Sequence, residues 1–213
     1  MLLALMMPMM AFGQIICEDS VNHTKEAMFE AIQKKIGTGK NSVVTYAIKD
    51  ADINSDEFFI AWEKKDCTGW GKHWFGNLKG EVLVQVRYKF FRITQMDGMV
   101  SYRRGQEYEN LSSATPEDRK TMIADLANVQ TIFPDERPTF KTSEIDYHLK
   151  VAEQKLSQSP KYLKPKDEEK GKVNPEYTSN YLYFKAFEGM SNDLKTSVTS
   201  IVDDVIAAIK ELK

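Results

Sequence analysis

The stretch GEVLVQVRYKFFRITQMDGMVSYRR, which spans Gly80–Arg104, decides the fold of the first half of the chain. Over Val82–Phe90, apolar residues alternate with polar ones, which is the period of a β-strand that is buried on one face. Asp97 and Gly98 then predict a two-residue hairpin loop, because both residue types tolerate a positive φ. The stretch therefore predicts a hairpin whose second strand is Met99–Arg103.

The apolar face of this stretch changes parity along its length. Val82, Val84 and Val86 occupy even positions, whereas Phe91 and Ile93 occupy odd ones. One extra residue in a strand moves every later side chain to the opposite face of the sheet. The change therefore predicts a bulge or a sharp coil near Phe90-Phe91.

Hydrophobic periodicity and turn residues predict the elements on either side of the hairpin. The predicted helices and strands are a helix at Ser20–Ile36, strands at Ser42–Lys49 and Glu57–Glu63, and helices at Thr115–Phe133, from Ser143 to before Pro160, and at Ser191–Lys213. The last helix has an apolar stripe typical of packing against a core or, as the alternative, against a partner. A charged, proline-containing loop is predicted at 161–176, and for the aromatic-rich segment 177–187 the pattern leaves helix and strand open.

This order of elements predicts an α+β fold: an N-terminal helix, an antiparallel meander of about four strands, and a helical C-terminal half packed on it. The chain is long enough for one domain with a real core. We interpret residues 14–213 as that domain, with the helix and the sheet in 14–112 and mainly helices in 113–213.

The first thirteen residues, MLLALMMPMMAFG, contain no charged side chain, and Ala11 and Gly13 place small residues at −3 and −1 of a cut before Gln14. This pattern predicts a signal peptide at 1–13 and a secreted or lumenal protein; the alternative is an N-terminal segment that packs in the core. In an oxidising compartment, Cys17 and Cys67 are expected to form a disulfide bond. In a cytosolic protein, Cys67 near His73 would instead be a possible thiol–base pair.

Two glycosylation sequons, at Asn22 and Asn110, agree with export. The formal charge of −2 argues against binding to nucleic acid, and no run of about 20 apolar residues predicts a transmembrane span. Asp52, Asn54, Asp56 and Glu63 match part of a calcium-loop pattern, but the glycine needed for its sharp turn is replaced by Glu57. We therefore predict no metal and no cofactor.

All three tryptophans lie between Trp62 and Trp74, and glycines are interleaved in the segment CTGWGKHWFGN. If this segment is an open loop, its aromatic rings offer a surface for a sugar or an apolar ligand. The residues of this predicted binding site are Trp70, Lys72, His73, Trp74 and Asn77. The alternative is that these tryptophans are buried in the core.

Arginine and lysine side chains form a second candidate site, a basic face on the predicted hairpin that would bind an anionic partner. Its residues are Arg87, Lys89, Arg92, Arg103 and Arg104. The alternative is an ordinary solvated surface.

No catalytic motif is evident from the sequence. We therefore predict a secreted binding protein whose ligand is an apolar small molecule, a glycan or a protein partner. The alternative function is that of a lumenal hydrolase whose active site is assembled from distant residues.

Overall fold

The structure is a computed structural model, and it describes residues 13–37, 39–49, 51–71, 74–104, 139–162 and 173–212. They form an antiparallel sheet of seven strands with helices packed on it, so the predicted α+β class is confirmed. The predicted arrangement is only partly correct, because a strand precedes the N-terminal helix and the sheet is larger than a four-strand meander. The predicted helix at Thr115–Phe133 lies outside the described residues.

The strands are β1 (Gln14–Ser20), β2 (Thr45–Lys49), β3 (Glu57–Trp70), β4 (Trp74–Arg87), β5 (Phe90–Gln95), β6 (Met99–Arg104) and β7 (Thr139–Lys141). The helices are α1 (Lys25–Ile36), α2 (Ile145–Gln158) and α3 (Pro175–Lys210), and a 3-10 turn at Thr142–Glu144 leads into α2. Helix α1 begins where the side chain of Thr24 accepts a hydrogen bond from the Ala27 N–H.

Strands β2 to β5 form the meander, in spatial order β1-β5-β4-β3-β2, with β1 on one edge. Strand β4 is long enough to pair with two strands along one side. Its second half pairs with β5, and its first half pairs with β6, which in turn pairs with β7.

The predicted hairpin loop at Asp97-Gly98 is wrong. The chain turns at Tyr88-Lys89, since Arg87 pairs with Phe90 and Lys89 adopts a φ of 59°. The sequence contains no sign of this turn, because tyrosine and lysine are not residue types that favour a positive φ.

Asp97 and Gly98 instead form a bulge between β5 and β6. Gln95 pairs with Val82 and Met99 pairs with Lys79, so three residues on this side face two on β4. The predicted bulge near Phe90-Phe91 is wrong, because the two-residue turn itself places Val86 opposite Phe91 and Val84 opposite Ile93 without any bulge. The extra residue at 96–98 changes the parity a second time, so that the buried residue on β6 is Val100.

The hydrophobic core lies between one sheet face and the helices α1 and α3. Phe58, Ile60 and Val84 are completely or almost completely buried on the sheet side, and Met28 and Ile32 are buried on α1. The C-terminal stripe is buried too, through Val198, Ile201, Val202, Val205 and Ile209. Its predicted packing against the core is confirmed.

Helix α3 is one continuous helix of 36 residues, which includes the segment 177–187 that the sequence pattern left undecided. It starts at Pro175, after Asn174 caps its first turn by accepting a hydrogen bond from the Glu176 N–H. The predicted loop at 161–176 is therefore shorter than expected, although residues 163–172 lie outside the described part.

Two carboxylates on α3 fix the helix to the sheet. Asp193 accepts hydrogen bonds from the indole Nε1 of Trp70 and from Lys64 Nζ, both at 2.7 Å. Asp204 accepts from Asn41 Nδ2 at 2.8 Å and from the Tyr46 hydroxyl at 3.1 Å. Eleven residues are about three helical turns, so both carboxylates lie on the same side of α3.

Candidate functional site

The tryptophan-rich segment is the tip of the long β3–β4 hairpin and not an open loop. Trp70 is the last residue of β3 and is completely buried, and Trp74 starts β4 with an exposed fraction of 7%. The Asn77 side chain accepts a hydrogen bond from the Asp66 N–H at a bulge in β3. Lys72 and His73 lie outside the described residues. The structure thus places both tryptophans in the interior, as in the alternative interpretation.

The residues of the predicted basic face are divided between the two ends of β4. Arg87, Lys89 and Arg92 lie around the β4–β5 turn, whereas the backbone of Arg103 pairs with Phe75 at the far end of β4 and Arg104 follows it. The wrong loop position at Asp97-Gly98 caused this error, because it placed Arg92 opposite Arg103. Arg92 instead pairs with the Glu18 carboxylate at 2.9 Å, and Arg87 lies 3.4 Å from Asp56.

Cys17 and Cys67 are both free thiols, so the predicted disulfide bond is absent from the structure. Cys17 is on β1 and Cys67 is on β3, with β5 and β4 between them. Three strand spacings amount to about 14 Å, whereas a disulfide needs Cα atoms within about 7 Å. Burial and the charge of Asp193 raise the pKa of Cys67, and partial burial and the nearby Asp19 raise the pKa of Cys17.

Of the two predicted glycosylation sites, Asn22 is exposed in the turn between β1 and α1. Asn110 lies outside the described residues.

The strongest candidate site is a pocket of about 530 Å³ between the β6–β7 edge of the sheet and the helices α2 and α3. Five ring-bearing side chains line it, and we call it the aromatic pocket. These are Tyr102 on β6, Phe140 on β7, His148 on α2, and Tyr183 and Phe187 on α3. Met99, Thr139, Lys141 and Glu144 complete its lining.

The rings of the aromatic pocket contact one another in an almost closed circuit. The imidazole of His148 stacks on the ring of Phe187, with 5.0 Å between the ring centroids, and packs edge-on against Phe140, with 5.6 Å between the centroids. Phe140 contacts Tyr102 at 5.5 Å, and Phe187 contacts Tyr183 at 5.2 Å. Such offset and edge-on contacts hold each ring in place, so the wall of the pocket is largely pre-formed.

Trp74 closes the circuit behind the pocket. Its indole stacks on the Tyr102 ring, with 5.0 Å between the ring centroids, and packs edge-on against the Tyr183 ring, with 5.5 Å between the centroids. The tryptophan segment that the sequence singled out therefore contributes to the site as support for two of its lining rings.

Local sequence explains how four elements reach one pocket. Tyr183 and Phe187 are four residues apart on α3 and hence lie on the same side of that helix. His148 follows Glu144 by the same spacing at the start of α2. Strand β7 places Phe140 beside Val100 of β6 and leads through the 3-10 turn directly into α2.

The Asp97 carboxylate fixes the start of α2 beside the pocket. It accepts hydrogen bonds from the Thr142 hydroxyl at 3.0 Å, from the Ser143 hydroxyl at 3.0 Å, and from the Ser143 and Gly98 N–H groups. Partial burial alone would raise the pKa of Asp97, but these hydrogen bonds outweigh it and lower the pKa below the ordinary value of 3.8.

Charged groups also line the pocket. His148 Nε2 is 3.8 Å from Glu144 Oε2, and Lys141 is well exposed. Among the described residues that line the pocket there is no serine and no cysteine. The arrangement offers aromatic rings together with a similar amount of polar surface, to which charged groups contribute.

No family model, curated protein or solved structure matches this chain. Within the described residues, no helix is sufficiently long and apolar to cross a membrane, and no cluster of three or more histidine, cysteine, aspartate or glutamate side chains is arranged to hold a metal ion. The site must therefore be interpreted from its own geometry.

Sequence reasoning missed the aromatic pocket because its lining comes from strands and helices that are far apart in the chain. One signal was present: the segment 177–187 is rich in aromatic residues. Once it is assigned to a helix, the spacing of Tyr183 and Phe187 predicts one aromatic face. Their partners Tyr102, Phe140 and His148 carry no such signal.

Proposed function

We propose that the protein is a binding protein that holds a planar, apolar small molecule in the aromatic pocket. The circuit of contacting rings is the observation that carries this proposal. A volume of about 530 Å³ is in the range of small-molecule pockets, and aromatic walls combined with polar groups are typical of them. Of the three ligand classes expected from the sequence, the pocket favours the apolar small molecule.

Partial exposure of the rings also supports a binding role. Tyr183 is 44% exposed although its ring contacts Phe187 and Trp74, so a ligand could cover it without any rearrangement of the core. One side of this ring is packed against the protein and the other side is exposed to water. A flat apolar ligand that covers the exposed side buries aromatic surface, which makes the free energy of binding more favourable.

Isothermal titration calorimetry with 1-naphthaleneacetamide, a neutral planar probe, tests the proposal. We expect binding to the wild-type protein and an affinity about threefold to tenfold lower for Tyr183→Leu, since one aromatic contact is worth about 0.5–1.5 kcal/mol. Tyr181→Leu is the matched control, because Tyr181 is 41% exposed on the same helix but does not line the pocket. Absence of binding, or equal losses in both variants, would refute the proposal.

The proposed location is the secretory pathway or the extracellular space. Strand β1 begins at Gln14, the residue that the predicted cut would leave at the new N terminus, and Asn22 is exposed for glycosylation. Mass spectrometry of protein secreted from eukaryotic cells tests this proposal. A chain that starts at Gln14 is expected; a chain retained in the cell with Met1 in place would contradict it.

A hydrolase is the second candidate, and the pair formed by His148 and Glu144 is the observation that favours it. These two side chains line the aromatic pocket 3.8 Å apart, and a histidine beside a carboxylate is a common general base. A survey of ester hydrolysis with 1-naphthyl acetate distinguishes the candidates. An enzyme would lose its turnover in His148→Gln, whereas a binding protein would show no turnover above that of this variant.

A further inference from the structure

Alternation along β7 separates the charged groups that border the aromatic pocket. Phe140 pairs with Val100 of β6, which is completely buried, so the Phe140 side chain lies on the face of the sheet that the helices cover. Successive residues of a strand point to opposite faces, so the Lys141 side chain is directed to the other face. Its Nζ lies 4.0 Å from the carboxylate of Asp97, a residue that does not line the pocket. The positive charge of Lys141 is therefore held away from the rings.

Glu144 supplies a negative charge on the helix side of the pocket. Its carboxylate belongs to the lining and is half-exposed. On this side, the other described group that can carry a charge near neutral pH is the imidazole of His148, whose Nε2 lies 3.8 Å from Glu144 Oε2. An imidazole is a cation only when it is protonated, so above the ordinary titration range of histidine it does not offset the carboxylate. The formal charge that faces the rings is then negative.

The start of α2 also lies beside the pocket, and its partial positive charge has a partner of its own. The N-terminal end of a helix carries this charge on its N–H groups, and a nearby anion offsets it. Asp97 has this role, because its carboxylate accepts hydrogen bonds from the N–H and from the hydroxyl of Ser143, shortly before α2 begins. The carboxylate of Glu144 therefore remains available to a bound cation.

The aromatic rings favour the same sign of charge. The face of an aromatic ring is electrically negative, and a cation within about 6 Å of the ring centroid is attracted to it. Benzene-type rings of three elements line the pocket in series: Tyr102 on β6, Phe140 on β7, and Phe187 and Tyr183 on α3. The centroids of neighbours in this series are 5.5 Å, 6.0 Å and 5.2 Å apart. Rings so close together can attract one bound cation jointly.

We infer that the ligand of the aromatic pocket is a planar aromatic cation, such as a heterocycle with a quaternary ring nitrogen. Its ring packs against the aromatic wall, and its positive charge lies beside the Glu144 carboxylate. A neutral ligand of the same shape makes the ring contacts alone, whereas the cation is also attracted by the ring faces and by the carboxylate. This inference rests on the proposed function, because it specifies the charge of the ligand for the same pocket.

Isothermal titration calorimetry at about pH 8 with two probes of the same shape, N-methylquinolinium and the uncharged 1-methylnaphthalene, tests the inference. The wild-type protein is expected to bind the cation about threefold to tenfold more tightly. Glu144→Gln should lower this ratio of affinities about threefold. Tyr183→Leu should lower it about twofold to fivefold, because leucine is apolar but has no π face. Glu153→Gln, at an exposed position of α2 outside the pocket, is the matched control and should leave the ratio unchanged.

The possible outcomes separate the two proposals. Equal affinity for the two probes, or tighter binding of 1-methylnaphthalene, would overturn the cation inference and leave the aromatic pocket as a site for neutral ligands. Failure of both probes to bind would overturn the proposed function and the inference with it. A preference for the cation that Glu144→Gln does not lower, or that Glu153→Gln lowers as strongly, would also overturn the inference, because the preference would then not come from the Glu144 carboxylate.

Discussion

The hydrogen bond between Trp70 on the sheet and Asp193 on α3 contributes to the stability of the protein, and its contribution can be measured by comparing Trp70 with Trp62. Both indoles are buried, with exposed fractions of 0% and 4%. Trp70 Nε1 donates to the Asp193 carboxylate at 2.7 Å, whereas Trp62 Nε1 has no hydrogen-bond partner among the described residues. The same substitution, Trp to Phe, therefore removes a hydrogen bond at one site and an unsatisfied donor at the other.

The expected difference follows from hydrogen-bond energetics. Both substitutions remove a similar part of a buried ring, so the cost of the resulting cavity largely cancels in the comparison. Trp70→Phe also loses a hydrogen bond to a charged group, worth about 2 kcal/mol, while Trp62→Phe removes a buried unpaired donor and recovers about 1 kcal/mol of desolvation. We expect Trp70→Phe to be less stable than Trp62→Phe by about 3 kcal/mol.

Urea unfolding followed by far-ultraviolet circular dichroism measures this difference, since this signal does not depend on tryptophan fluorescence. Asp193→Asn, alone and combined with Trp70→Phe, completes a double-mutant cycle and should give a coupling energy above about 1 kcal/mol. Equal stability of the two tryptophan variants, or a coupling energy near zero, would refute the reasoning.

Three further predictions concern other contacts. At neutral pH, Asp97→Ala should lower the free energy of unfolding by about 1 kcal/mol through loss of the hydrogen bonds from Thr142 and Ser143 in the 3-10 turn before α2. The folded-state pKa of Asp97 lies below its unfolded value, so this stabilisation is present above the unfolded pKa and is lost as the pH falls through the folded pKa. In urea titrations at acid pH, the difference in unfolding free energy between variant and wild type should therefore vanish. Gly189→Ala should destabilise the protein by about 1–3 kcal/mol in thermal unfolding, although alanine favours helices, because its Cβ would overlap the Gly69 carbonyl oxygen and lie 3.0 Å from the Trp70 Cα. Maleimide labelling of the native protein at pH 8 should modify Cys17 and leave the buried Cys67 intact until urea is added; labelling of both at equal rates would contradict the burial of Cys67.

Much of the fold could be predicted from local patterns. Alternation over Val82–Phe90 identified β4, and periodicity identified α1, α2 and the C-terminal part of α3, because these signals depend only on which side of one element faces the core. Pairing depends on turns, and there the prediction was wrong. Asp97-Gly98 has the residues of a hairpin loop, yet the side chains that its carboxylate contacts lie at the start of α2, more than 40 residues later in the chain.

The sequence alone determined the α+β class, the position of most helices and the apolar surfaces that form the core. The tertiary structure decided which strands are neighbours, and this separated Cys17 from Cys67 and divided the basic residues between the two ends of β4. It also decided the site. Tyr102, Phe140, His148 and Phe187 meet only because β7 and α2 bring the chain back beside β6 and α3, and no local pattern contains the free energy of contacts between residues so distant in sequence.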